Sequence, residues 1–113
     1  MRSCLVAIAA LIALSSAASA DAILAPDRAR QAAIQILMGD PYGKTTEEVA
    51  RNIRSQSLIS RDANGCRVSR TQPGYLFEVS VKDRPSGEGP IEGYFIIDAK
   101  TGKTICAGLP FLD

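Results

Sequence analysis

Cys66 and Cys106, forty residues apart in a chain of 113, place the tightest constraint on any fold this sequence can adopt. If they are joined, their Cα atoms must lie within about 7 Å of each other, whatever the intervening residues build. Whether they join depends on the compartment, and the first twenty residues bear on that. Arg2 gives a positive start, residues 5–14 are an unbroken apolar run, and Ala18-Ser19-Ala20 reads as a small-residue cleavage site: the three parts of an export signal. The run of ten falls well short of the roughly 18 residues that read as a membrane span, so the expectation is removal. Asp21 would then be the new first residue, in the periplasm or the medium, with no stable membrane anchor. Cys4 precedes the apolar run and cannot become the lipid-bearing first residue of a lipoprotein.

The two remaining cysteines would meet in an oxidising space, where a disulfide is the natural reading. A metal pair wants more soft ligands, yet the chain has no histidine, and redox dithiols sit about two residues apart. Closing a loop of this length should stabilise a small domain by about 4 kcal/mol.

Residues 21–113 suffice for one small domain, which buries somewhat more than about 60% of its unfolded surface. Removing Arg2 from 13 basic residues leaves 12 against 12 acidic ones, so the processed chain is formally neutral. Nucleic acid and anionic membranes are bound chiefly through clustered Lys and Arg, and the sequence holds no such cluster. Without histidine, Ser-His-Asp and Cys-His catalysis is impossible and the common zinc sites lose their usual ligand. No cofactor or metal is expected.

Pro26 and Asp27 suit a helix start, Ala29, Ala33, Ile36 and Leu37 recur at helical spacing, and Gly39 supplies a stop. Asp40-Pro41-Tyr42-Gly43 is turn chemistry, with Tyr42 as a lid on the helical pair. Thr45 and Glu48 form a capping box for a second helix running to Ile53, which should bury Val49, Ala50 and Ile53 and turn Arg51 and Arg54 to water. Periodicity fades over 55–65, and Asp62-Ala63-Asn64-Gly65 reads as a turn delivering Cys66 into a first strand. Tyr75, Phe77, Val79 and Val81 alternate with Leu76, Glu78, Ser80 and Lys82, as a strand with one face on a core does. A further strand over 91–97, a turn over 98–102 with Gly102 at a positive-φ position, and a last strand over 103–107 complete the pattern.

The expected fold is α+β, with two N-terminal helices on one face of a three- or four-stranded antiparallel sheet and one disulfide. In a flat four-strand meander the outer strands lie about 14 Å apart, beyond a disulfide's reach of about 7 Å. The sheet must therefore curl, depart from meander order, or place Cys66 in a loop crossing its end, and the last is favoured.

The stretch Tyr94-Phe95-Ile96-Ile97-Asp98-Ala99-Lys100-Thr101-Gly102-Lys103-Thr104-Ile105 resembles the closing hairpin of PepSY domains. The helix holding Ala29, Ala32 and Ala33 is similar to that family's opening helix. Tyr42-Gly43-Lys44-Thr45-Thr46-Glu47-Glu48-Val49 also resembles the helix start of small envelope lipoproteins that assist outer-membrane protein assembly, whose order is helix, helix, then strands. Both resemblances imply binding and regulation in the cell envelope, and neither implies a catalytic residue.

Residues 83–90 form a loop of eight, where a hairpin usually needs about two to five. Such a loop can enter a partner's cleft, with Arg84, Pro85, Ser86 and Glu88 as partner-binding residues, although Gly87 and Gly89 equally suit a plain connector. The apolar tail Leu109-Pro110-Phe111-Leu112 should dock on the domain. Glu78, Asp83, Glu88, Glu92 and Asp98 cluster in sequence around the middle hairpin and could supply an acid and base. The resulting expectation is an exported binding or inhibitory module acting on an envelope protein or peptidoglycan-associated partner. The alternatives are a small carboxylate-dependent hydrolase using Glu78 and Glu92, or a structural component of an envelope assembly.

Overall fold

The computed structural model describes residues 22–82, 84, 87–110 and 112, so the segment 1–20 expected to act as an export signal lies outside the described residues. Helix α1, Pro26–Leu37, opens on Pro26, whose missing N–H is one of the donors a first turn leaves unpaired. It turns Ala29, Ala33 and Leu37 inward, and the chain leaves it through Gly39 at φ 121°. Helix α2, Thr46–Asn52, is capped by Thr45, whose Oγ1 accepts the Glu48 N–H at 3.2 Å and donates to Glu48 Oε1 at 3.2 Å. Glu48 thus reaches back to the capping hydroxyl. A helix this short turns a single residue, Val49, fully inward, and Ala50 is half-buried instead of buried as expected.

Four strands follow, β1 (Ile53–Ile59), β2 (Gly74–Val81), β3 (Ile91–Asp98) and β4 (Thr104–Ala107), paired antiparallel in simple chain order. The fold is α+β, with both helices on one face of a four-stranded sheet. On that face Tyr75, Phe77, Val79 and Val81 of β2 and Ile91, Phe95 and Ile97 of β3 pack with Ala29, Ala33, Leu37 and Val49. Phe77 and Phe95 are direct cross-strand partners with ring centroids 5.2 Å apart.

The first strand differs from expectation. It begins at Ile53, directly after α2, and Cys66 belongs to the loop of residues 60–73 that leads into β2. As an outer strand, β1 has few apolar residues to bury, so Ser55, Gln56 and Ser57 give no sequence alternation of the kind a half-buried strand shows. Ile53 is buried as expected, but as a strand residue.

The loop resolves the disulfide geometry as favoured. Asp62 Oδ1 accepts the Val68 N–H at 2.9 Å, and Ala63 and Cys66 exchange backbone hydrogen bonds, folding the loop across the sheet face opposite the helices. Cys66 joins Cys106 with Cα atoms 5.9 Å apart, and Cys66, Val68 and Ile96 form a second small core there. The meander stays intact because a loop, and no strand, carries one end of the bridge. At the same end of the sheet Asp98 Oδ1 accepts the N–H groups of Lys100 and Thr101, and Gly102 takes φ 78°. Among the described residues no helix is long and apolar enough to cross a membrane.

Candidate functional site

The other end of the sheet holds a cleft of about 1020 Å³ between the α1–α2 turn, the end of α2 and the β2–β3 hairpin. Its first wall is a tight turn in which Gly39 and Gly43 exchange backbone hydrogen bonds at 2.7 and 3.0 Å. Gly43 has φ 144°, and a Cβ there would stand 2.8 Å from the Val49 nitrogen, so only glycine lets α2 start against the turn. Tyr42, expected as a lid, is instead core: it is 2% exposed, its carbonyl accepts from Asn52 Nδ2 at 2.8 Å, and its hydroxyl donates to the Pro110 carbonyl. That bond, with buried Leu109, docks the C-terminal tail. Gly93 makes room for the tail, since a Cβ there would collide with the Gly108 carbonyl. Burial pushes the Tyr42 phenol above its ordinary pKa, with the nearby Arg84 guanidinium pulling the other way.

The second wall is the hairpin loop. Arg84 pairs with Glu88 at 2.8 Å and donates to the Gly89 carbonyl at 2.9 Å, so these two expected partner-binding residues engage each other and brace the loop. Arg84 Nε is buried and has no hydrogen-bond partner among the described residues. Pro85, Ser86 and Asp83 lie outside the described residues.

Four cations, Lys44, Arg51, Arg54 and Arg84, line the cleft against three carboxylates, Asp40, Glu48 and Glu88. Glu88 is held by Arg84, and Glu48 faces the capping hydroxyl. Lys44, Arg51 and Arg54 are exposed and form no ion pair among the described residues. Arg54 is placed by a β-bulge: Ile53 pairs with Val79 and Ser55 with Glu78, leaving Arg54 as the extra residue. The sequence reading turned Arg51 and Arg54 only to water. Their three-residue spacing across the α2–β1 junction hinted at a shared side, but nothing in the sequence brought the hairpin opposite them.

Among the described residues the carboxylates do not assemble into one centre. Glu78 and Glu92 share the sheet face away from the helices as diagonal neighbours, since Glu78 pairs with Tyr94 and Glu92 with Ser80. Both are exposed, and Ser55 donates to Glu78 Oε1 at 2.9 Å. They border a shallow groove of about 750 Å³ in which the Ser80 hydroxyl is buried and, among the described residues, unpartnered. Glu88 belongs to the hairpin, and Asp98 organises the turn at the opposite end. Among the described residues no group of three or more His, Cys, Asp or Glu could hold a metal ion.

No family, curated protein or solved structure matches the chain.

Proposed function

We propose that this chain is an exported, disulfide-bonded binding module that recognises, and in doing so inhibits or regulates, a protein or peptidoglycan-associated partner in the bacterial envelope. The observation that carries the reading is the trio of exposed cations Lys44, Arg51 and Arg54, unpaired among the described residues, in the cleft beside the braced hairpin. Cations gathered in a concave surface select an anionic group and speed its arrival. The partner surface it selects is therefore anionic. The disulfide supports an oxidising destination, periplasm or medium.

To test this, the exported protein is used to capture envelope proteins and peptidoglycan fragments, alongside a Lys44→Glu/Arg51→Glu variant and one with residues 83–90 replaced by a two-residue turn. Loss of the captured partner in both variants is expected, and unchanged capture by both would refute the cleft as the recognition surface.

A second reading, a carboxylate-dependent hydrolase on the open sheet face, is favoured by Glu78 and Glu92 bordering the unpartnered Ser80 hydroxyl. Hydrolysis of an envelope substrate that collapses in Glu78→Gln and Glu92→Gln but survives the cleft variants would select it.

A further inference from the structure

The two edges of the sheet are built differently. Strand β4 is four residues long, carries an irregularity at Ile105, is tethered through Cys106 and leads within three residues to Pro110. Shortness, bulges and proline are the devices by which sheet edges avoid pairing with other chains. Strand β1 has seven residues, and beyond the bulge at Arg54 its run Ser55-Gln56-Ser57-Leu58-Ile59 contains no charge, proline or further irregularity. Leu58 is 50% exposed beside this edge. Among the described residues no loop or tail makes a backbone hydrogen bond to β1.

We propose that β1 is a strand-addition site for an extended peptide segment carrying acidic residues at both ends. Backbone pairing along the edge supplies affinity. The flanking charge supplies selection, because exposed Arg51 and Arg54 stand at the start of the edge and exposed Arg61 just beyond its end. At about 3.3 Å per residue the strand Ile53–Ile59 spans about 20 Å, so a paired ligand needs acidic residues about six or more positions apart to reach the arginines at both ends.

A second copy of this chain fits poorly. Parallel pairing of two β1 strands stacks like arginines directly, and antiparallel pairing with Gln56 opposite Ser57 sets Arg54 against Ile59, with no acidic residue in the other β1 strand to answer it. Like charges across a strand pair are destabilising. The site shares Arg51 and Arg54 with the cleft but adds the β1 backbone edge, Leu58 and Arg61, so the two readings can fail separately.

The probes are two synthetic peptides with the same alternating Val-Thr centre, one ending in Glu at both sides and one in Lys, titrated into the isotopically labelled protein. The acidic peptide is expected to bind at least about tenfold more tightly, with amide shifts and new exchange protection centred on residues 54–59. Leu58→Glu and Arg61→Glu, both at exposed positions and compatible with the fold, should each weaken it by about tenfold, while the variant with residues 83–90 shortened binds as before. Equal affinity for the two peptides, shifts centred on the cleft, or a concentration-dependent dimer carrying the β1 shifts would overturn the proposal.

Discussion

Replacing Cys66 and Cys106 together by serine tests how the second sheet face is held. The bridge closes a separation of 40 residues, and in the chain-entropy account its removal returns about 4 kcal/mol of freedom to the unfolded state. The folded state loses something too. Residues 60–73 lie over Ile96 through buried Val68 and Cys66, with polar ties from Tyr94 to Asn64 at 3.3 Å and from Lys100 to Thr71 at 3.2 Å. Exposed single hydrogen bonds contribute about 1 kcal/mol each at most, and Val68 alone buries one side chain's worth, about 1.5–3 kcal/mol. Ordering fourteen loop residues costs more than these ties return at about 1–2 kcal/mol per residue, so without the bridge the loop should detach and uncover Ile96. The expected result is a loss of about 4 kcal/mol in urea unfolding and a fall in Tm of roughly 15–30 °C. Amide exchange should rise throughout 60–73 while the β2–β3 pairing stays protected. A loss below about 1 kcal/mol, or a loop still protected from exchange, would refute the claim that the bridge holds this face closed.

Two substitutions probe the wall of the cleft. Gly43→Ala combines a positive φ with a Cβ 2.8 Å from the Val49 nitrogen and should cost about 2–4 kcal/mol, whereas Gly39→Ala, at φ 121° with open space, should cost only its backbone strain, about 1–2 kcal/mol; chemical denaturation of both checks the difference. Tyr42→Phe removes the hydrogen bond that holds the tail and should cost about 1 kcal/mol near neutral pH. Burial raises the phenol pKa in the folded state, so the folded protein binds that proton more tightly than the unfolded chain does. The associated stability is complete below the unfolded value of about 10 and is lost as pH rises through the folded value; urea titrations from neutral to alkaline pH should show a shallower alkaline loss in Tyr42→Phe.

The helical half and the central hairpin were legible because their signals are local. Pro26, the Thr45–Glu48 cap and the alternation from Tyr75 to Val81 each follow from chemistry within a few residues. The disulfide was legible for a different reason, since the reach of a bridge is fixed whatever the strands do. Strand β1 was hidden because an edge strand with one partner needs little apolar surface, so backbone pairing with β2 holds it without a pattern in the side chains. The expected contact residues Arg84 and Glu88 were found in the hairpin but turned toward each other, because a four-residue spacing in a returning loop brings opposite charges together before any partner arrives. Arg51 and Arg54 became cleft residues only through tertiary placement. A bulge at Arg54 depends on the register between β1 and β2, which no local motif encodes.

Unequal cover of the sheet links these features. One face is filled by the helices, but the opposite face is roofed by residues 60–73 only near Gly74 and Asp98, where Cys66, Val68 and Ile96 meet. Extending that roof would need more chain, and the loop is already fastened at Cys106. The remaining half of the face, with Glu78, Ser80 and Glu92, stays polar because it must face water when alone. The bulged Arg54 borders both this groove and the cationic cleft, so the two concavities meet at the start of β1. An extended segment paired along β1 therefore ends beside Lys44 and Arg51, where a terminal acidic group would find its counter-charge. The disulfide stands at the far end of the same face, fastening the loop over Ile96 and away from the β1 start and the groove that the proposed partner must reach.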